Sequence, residues 1–579
     1  MGVEAKLQPS NPPKPLSNRT VFVQLNALNT VVIPHDLKDV DANAWAFATN
    51  DPPSQPQRRQ RVGDNEVVCF VDGKETLPQF QWEIEQTSGK DDFIYLLGWY
   101  LDIDFPFPDF SSPDGAKQQG KPMRQLLTEA GKRKVQIRVM LDGCPHNPIV
   151  NGEAINFVLY GLDAAAGPPA PPPPDPPPPF ELIEQHISRR NPEYDAYMKD
   201  YNAKYKDQIN ARRAYAKQSR RTSPDHPDSA GVLDSKYSPP LGSHHQKILL
   251  VMHGGRLTAF CGGVDINSDR VSRTEKGRPM HDVHCRIRGP AAWDVLQIFL
   301  DRWDDYVSSS YDGDDGAESL DRILADPKDL RGQKVSHQPP CGKFSVQIAR
   351  TTGHIVTNPY KFAPQGERSI QEMVHTAIRK ARRFIYIEDQ YLVNMEVAGW
   401  LSLHLNQIKH LTILVPPPDL TSPPSYVNRR RNFIEKVMEG GADKVRVFCP
   451  SGDSVPFTCS TYVHAKTWIF DDKFAIIGSA NCNNRGMKHD SEVAAGIFDP
   501  SSDDGLTYTL PHGLRMRLWA HHLGLDQAEV ADGVASADLW KEVCRPPTAR
   551  ITDYYVPPDY APIRRADSIF LGWWVEDTL

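Results

Sequence analysis

The sequence predicts an α/β protein built as two similar halves, each a mixed β-sheet flanked by helices, with one site at the pseudo-twofold interface between them. Three observations predict this. Short apolar runs alternate with amphipathic helical patterns, as in a layered α/β sheet. A block of polar, chemistry-bearing residues at Thr461–Asp499 recurs in altered form around Ser243–Asn267. The segments leading into the two blocks also correspond, so the repeat spans a structural unit rather than a short motif.

Taken in order, residues 1 to about 60 form a polar, Pro-rich lead with one strand, Thr20–Leu25. Strands are expected at Val67–Val71, Asp92–Tyr100 and Val135–Leu141, the last two separated by a helix over Met123–Lys132. The run G-P-P-A-P-P-P-P-D-P-P-P-P at 167–179 can be neither helix nor inner strand and reads as a polyproline II spacer. The insert that follows, 180–240, carries a basic segment at 187–221 with Tyr194, Tyr197, Tyr201 and Tyr205 at helical spacing. Docking on an anionic lipid interface is one reading of it; a solvated helix packing its tyrosines on the domain is the favoured one. Ala291–Tyr306 is a helix with Leu296, Phe299, Leu300 and Trp303 on its apolar face.

The polar stretch 311–343 is the junction, giving an N-terminal half 1–330 and a C-terminal half 331–579. The second half restarts at Ser369-Ile-Gln-Glu372, a capping box, and continues through strands at Phe384–Ile387, Leu411–Val415 and Lys444–Phe448. Arg429-Arg430-Arg431 opens a solvated helix, with a head-group contact as the lesser reading, and the apolar tail Ile569–Trp574 docks on the body.

The second block holds the clearest chemistry. Thr467–Phe470 and Phe474–Ile477 flank Asp-Asp-Lys and read as a hairpin. Residues two apart on a strand share a face, so His464 and Lys466 point together toward one ligand. With the small-residue turn Gly478-Ser479 and the amide of Asn481 they suit an oxyanion such as phosphate. In the first copy His245 and Lys247 align with this pair, Gly262-Gly263 with Gly478-Ser479, and Asp265 with Asn481, if three extra residues are placed in the turn. Asp282 pairs with Glu492. The position equivalent to Asp471 is Met252, so the first copy keeps H-x-K and lacks the Asp.

The pattern H-x-K-x4-D followed by G-S-x-N resembles the HKD motif of the phospholipase D superfamily, and Glu388-Asp389-Gln390-Tyr391 resembles that family's I-E-N-Q-Y segment. The wording G-G-x-D-I-N and H-D-V-H-C-R-I-R-G-P-A-A is closest to phospholipases D proper, of bacterial or compact type. The resemblance implies a duplicated fold with both histidines on one phosphate and hydrolysis of a phospholipid head-group ester to phosphatidic acid through a phosphohistidine. It also implies transfer to alcohols. The catalytic set it implies is His245, Lys247, His464, Lys466 and Asp471, the last supporting the motif from behind rather than attacking phosphorus. Substrate contacts fall to Asn481, Ser479, Gly263, Asp265, Gln390 and Trp99, with Asp265 ranked below Asn481 because a carboxylate facing phosphate is unfavourable and bracing the fold is its alternative role. Asp282 and Glu492 orient the histidines. By the same resemblance His245 is the nucleophile and His464 the acid. No cofactor or metal is expected, because two lysines and an imidazolium supply the positive charge.

Composition narrows the partners. Lys and Arg number 66 against 73 Asp and Glu, a net charge of −7, which disfavours a nucleic-acid binder. The expected partner is phospholipid at a membrane surface, with a dedicated inhibitor or secretion partner if the protein is an antibacterial effector. No signal peptide or spanning segment is visible, so the chain is expected to be cytoplasmic as synthesised, acting peripherally on membranes or exported without a cleaved signal. The nine scattered cysteines show no zinc spacing and read as reduced thiols. Alternative readings are a nuclease, a cardiolipin-synthase-like transferase, or an inactive lipid-binding module.

Overall fold

The computed structural model describes residues 62–108, 119–143, 148–160, 229–234, 236, 242–271, 280–308, 338–355, 359–418, 425–450, 461–499, 510–543 and 550–556. The expected strand Thr20–Leu25, the spacer 167–179, the basic segment 187–221, most of the junction 311–343 and the tail 569–574 lie outside these residues.

The first half contributes strands β1 (Val62–Val71), β2 (Phe93–Gly98), β3 (Gln136–Asp142), β4 (Ala230–Asp234), β5 (Ile248–His253), β6 (Arg256–Gly262) and β7 (Val283–Arg288). The second contributes β8 (Phe344–Thr352), β9 (Phe384–Asp389), β10 (His410–Leu414), β11 (Val445–Pro450), β12 (Lys466–Phe470), β13 (Phe474–Gly478), β14 (Glu492–Phe498) and the short β15 (Ile551–Asp553). They form one continuous sheet in the order β4-β3-β2-β5-β6-β7-β1-β8-β14-β13-β12-β9-β10-β11-β15. Read outward from its centre, each side repeats the other. The inner strands are antiparallel, and β2-β3-β4 and β9-β10-β11 are parallel. Parallel neighbours need crossover helices. These are supplied by α2 (Met123–Lys132) and α3 (Pro148–Tyr160) in one half, and by α6 (Met395–His404) and α7 (Ser425–Met438) in the other.

At the centre, β1 pairs antiparallel with β8 through Val62↔Val346 and Asn65↔Phe344. Fully buried Asn65 secures this seam, donating to the carbonyl of Phe344 at 3.2 Å and accepting the amide of Ala291 at 2.7 Å. One face of the sheet carries a single apolar core shared by both halves under α4 (Pro290–Ser308) and α8 (Leu510–Leu523). Leu296, Phe299, Leu300 and Trp303 of α4 are all fully buried in it. The other face carries two cores: one under α1 (Asp72–Gln86), α2 and α3, the other under α5 (Ser369–Lys380), α6 and α7. The halves are thus joined by backbone pairing and by half of the core.

Three expectations need correction. The three extra residues of the first hairpin lengthen it by two rungs, Met252↔Leu257 and His253↔Arg256, around a tight Gly254-Gly255 turn whose φ values of 55° and 78° suit glycine. The Ser369–Glu372 capping box does not form. Residue 368 stands at the cap, and the Ser369 hydroxyl bonds instead to the backbone amide and carbonyl of Arg350 on β8. Arg429 and Arg430 are buried, not solvated. Arg430 donates to the carbonyls of Tyr391, Gln390 and Pro416 at 2.7, 2.5 and 3.1 Å, because a chain turning out of the sheet leaves carbonyls that need donors.

Candidate active site

Each histidine motif begins as an extended arm that crosses to the other half. Ser243–His245 pairs with Ser491, whose amide donates to the Ser243 carbonyl and whose carbonyl accepts the His245 amide, both at 2.9 Å. In the mirror arrangement, Tyr462–Val463 pairs parallel with Met280–His281, and the His464 amide donates to the His281 carbonyl at 2.8 Å. Ser491 and His281 immediately precede Glu492 and Asp282. The arms therefore bring each histidine to the acid of the opposite half. His245 Nδ1 lies 3.0 Å from Glu492 Oε1, and His464 Nδ1 lies 2.7 Å from Asp282 Oδ2. With Nδ1 committed, Nε2 is the atom left for chemistry on both rings.

Two lysines complete the centre. Lys247 and Lys466 are almost fully buried, and each donates to the carbonyl of its own motif's histidine. Both depress the proton affinity of both histidines, which places all four groups in one electrostatic environment. Burial is the largest cause of the downward shift at His245 and at His464, and Arg270 is the leading cation at His464. Burial also pushes Asp282 up to about 6 and Glu492 up to about 7, and pushes Lys466 down to about 7. A dry site penalises every charge. Burial and the neighbouring cations thus favour neutral imidazoles, and a negative charge brought near them would make them easier to protonate.

The remaining predicted residues divide into two groups. Trp99 and Gln390, each just past the end of its strand (β2 or β9), occupy equivalent places and each touches its own half's lysine. The Trp99 ring lies 5.5 Å from the His245 ring and 5.4 Å from Lys247 Nζ, and Gln390 Oε1 accepts Lys466 Nζ at 3.0 Å. Asn481 is buried, and its Oδ1 has no partner among the described residues. The others bear on the phosphate indirectly. Ser479 donates its hydroxyl to Glu492 and accepts the Val493 amide, so it braces the acid. Gly263 makes room for Asp282, since a Cβ there would stand 2.0 Å from its Oδ1. Asp265 bridges Lys247 at 3.3 Å and Arg270 at 3.0 Å; placed as a substrate contact, it is instead a counter-ion.

Asp471 does not join the centre. It lies at the far end of β12, about 16 Å from Lys466 along the strand. There its carboxylate accepts the amides of Arg382, Arg383 and Phe384 at 2.7–2.9 Å. Met252 faces Phe93 as residue 471 faces Phe384, but it lies on a continuing strand, its side chain in the core. The first hairpin is held from the other side: Asp92 accepts the Gly254 amide at 3.0 Å. The missing Asp is a difference in turn bracing.

Arg270, Arg430 and the crossing arms were missed in the sequence. A lone Arg in S-D-R carries no short-range signal, the run of three arginines read as solvent-facing, and the arms depend on contacts more than 180 residues apart.

Comparison with known proteins agrees with this geometry. The family model described as phospholipase D matches residues 271–416 and 457–555, which include Asp282, Gln390, His464 and Glu492. The chain is 26% identical over 451 residues to phospholipase D alpha 1 of Cynara cardunculus, covering 55% of this chain and 54% of that protein. It is 27% identical over 406 residues to phospholipase D alpha 2 of Oryza sativa subsp. japonica, covering 49% of each. The chain thus spans about half the length of the curated relatives it matches. Among solved structures, a phosphatidylserine synthase of Haemophilus influenzae aligns over 94% of this chain and 93% of that one, with 12% identity and a TM-score of 0.45. With two H-x-K arms exchanged between repeated half-sheets, and a family match running through the second motif and both acids, the chain is similar to the phospholipase D family across its site-bearing segments.

Proposed function

We propose that this protein is a phospholipase D that cleaves the head-group phosphodiester of glycerophospholipids to phosphatidic acid and transfers the phosphatidyl group to small alcohols. The observation that carries the reading is the exchanged pairing of His245 with Glu492 and His464 with Asp282 around two shared lysines. Two oriented imidazoles, one to attack and one to hand over a proton, are what displacement at phosphorus requires.

In the first step Nε2 of His245 attacks phosphorus. A P–N bond forms, the P–O bond to the head group breaks, and His464 gives its proton to the departing oxygen. Lys247, Lys466 and Asn481 hold the charged phosphoryl oxygens. In the second step water or an alcohol attacks phosphorus as His464 takes its proton; a P–O bond forms, the P–N bond breaks and His245 is released as the neutral imidazole. The bound diester supplies the negative charge that lets His464 carry a proton in so dry a site.

The test is mass spectrometry of mixed-head-group vesicles incubated with the protein and a primary alcohol, beside His464→Ala. Phosphatidyl-alcohol formed only by the intact protein is the expected result. If neither that product nor phosphatidic acid forms, the lipid reading is wrong and nucleic-acid diesters are the next substrates to test. Among the described residues no helix is long and apolar enough to cross a membrane. The proposed partner is a membrane surface, because that is where a glycerophospholipid substrate lies.

A further inference from the structure

Behind the His464–Asp282 pair lies a second buried cluster that the reaction above does not use. His281 stands between two carboxylates, Nδ1 2.9 Å from Asp72 Oδ1 and Nε2 2.9 Å from Glu388 Oε2. Glu388 also accepts from His522 Nε2 at 2.7 Å and from the Tyr386 hydroxyl at 2.6 Å. The His521 ring stacks 5.9 Å from that of His281, and Lys74 Nζ stands 3.8 Å from Asp72. Asp72 and His281 belong to the first half, Glu388 and His522 to the second.

These donors have the composition of a metal site. The separations of 2.7 and 2.9 Å, however, are those of hydrogen bonds. Ligands around a tetrahedral zinc, each about 2.1 Å from the ion, would stand roughly 3.4 Å from one another. An ionised carboxylate only accepts, so a ring with a carboxylate on each nitrogen must donate from both. The cluster is then an anion–imidazolium–anion bridge across the halves.

Its backbone leads to the active site. Asp72 and Asp282 are tied twice: the Asp72 amide donates to the Asp282 carbonyl at 2.8 Å, and the Asp282 amide donates to Asp72 Oδ1 at 3.1 Å. The His281 carbonyl takes the His464 amide at 2.8 Å. On the other side of the pseudo-twofold axis, the residue in the place of His281 is Ser491. Among the described residues, only one of the two histidine–acid pairs rests on such a bridge.

We propose that His281 is a positioning residue for His464: as an imidazolium held between Asp72 and Glu388, it fixes the backbone from which Asp282 and His464 meet and helps keep Asp282 ionised. The catalytic part of this proposal rests on the function proposed above. Electrostatics agree with the geometry, since Glu388 and Asp72 raise His281 to about 10 against the opposing effect of burial. The neighbouring His521 and His522 are shifted downward by burial. A group whose folded pKa is raised stabilises fully below its unfolded value, near 6.5, and that contribution is lost as pH rises toward 10.

The experiment compares the full chain with His281→Gln, by thermal unfolding from pH 6 to 10 and by kcat and KM on a chromogenic phosphodiester. Expected are a melting deficit in the variant that is largest near pH 6.5 and shrinks toward pH 10, and a kcat lower by about tenfold or more at a KM within about twofold. A deficit that does not change with pH overturns the imidazolium. An unchanged kcat in a folded variant overturns the positioning role. Where His281→Gln does not fold, Glu388→Gln, which leaves the ring one carboxylate, is read in the same way. A wild-type chain that cleaves no diester removes the catalytic reading and the positioning role with it, while the pH series separately decides the charge on His281.

Discussion

His464 Nδ1 and Asp282 Oδ2 lie 2.7 Å apart although 182 residues separate them, and His245 and Glu492 repeat the relationship at 3.0 Å with the halves interchanged. Each acid fixes the tautomer and ring direction of a histidine that its own half does not contain. Asp282→Asn and Glu492→Gln should therefore each fold and each lose about 10²-fold or more in kcat, as an orienting carboxylate does elsewhere. Steady-state kinetics beside circular dichroism check this, and a loss under threefold in either variant would contradict the orienting role.

The depressed Lys466 sets an alkaline limit. Burial holds its ammonium down to about 7, so the unliganded protein loses the charge that the proposed function assigns to holding phosphate as pH rises through neutrality. A fall in kcat/KM above about pH 7 is expected, and Lys466→Arg should move that limb upward because guanidinium keeps its proton. A pH profile of kcat/KM reads both effects.

Glu492 gives a stability signature of opposite origin. Its folded pKa is raised to about 7, so its contribution is present below the ordinary carboxyl value and is lost as pH climbs from about 4.5 toward 7. Relative to Glu492→Gln, the wild-type protein should melt progressively lower across that window. Calorimetry at pH 4.5, 6 and 7.5 measures it, and a constant difference would mean that the carboxyl is not shifted.

Asp471 should behave as a structural residue. Asp471→Ala leaves three amides without their acceptor and should cost about 2–4 kcal/mol of stability. The folded fraction should keep kcat within a fewfold of wild type. Urea unfolding and an assay below the melting range separate the two effects; a loss of 10²-fold in kcat would return Asp471 to the catalytic set.

Arg430 fastens the chain just after β9, where Gln390 reaches Lys466. Arg430→Ala should raise KM and lower stability. Arg430→Lys should restore little of either, since one ammonium cannot reach three carbonyls set around a planar fork. Rescue by lysine would show that charge alone matters there.

The repeat was legible because its units are local. Strand alternation, helical periodicity and the spacing of His and Lys are short-range signals, and they gave most element positions to within a few residues along with the duplicated α/β plan. Several side-chain roles were not legible because they depend on what arrives from elsewhere. Ser369 looked like a helix cap until β8 offered its hydroxyl a closer partner. Arg430 looked solvent-facing because three arginines in a row say nothing of the carbonyls waiting above them. Asp265 fell at the position of an amide, and only the approach of Lys247 and Arg270 shows it to be a counter-ion.

The exchange of acids between the halves also has a consequence in time. A chain still being synthesised carries His245 for nearly 250 residues before Glu492 exists to orient it, and Asp282 likewise waits for His464. Neither histidine–acid pair can form until both halves have been made and brought together. Under the proposed function, the capacity to attack phosphodiesters would begin only once the two halves have met.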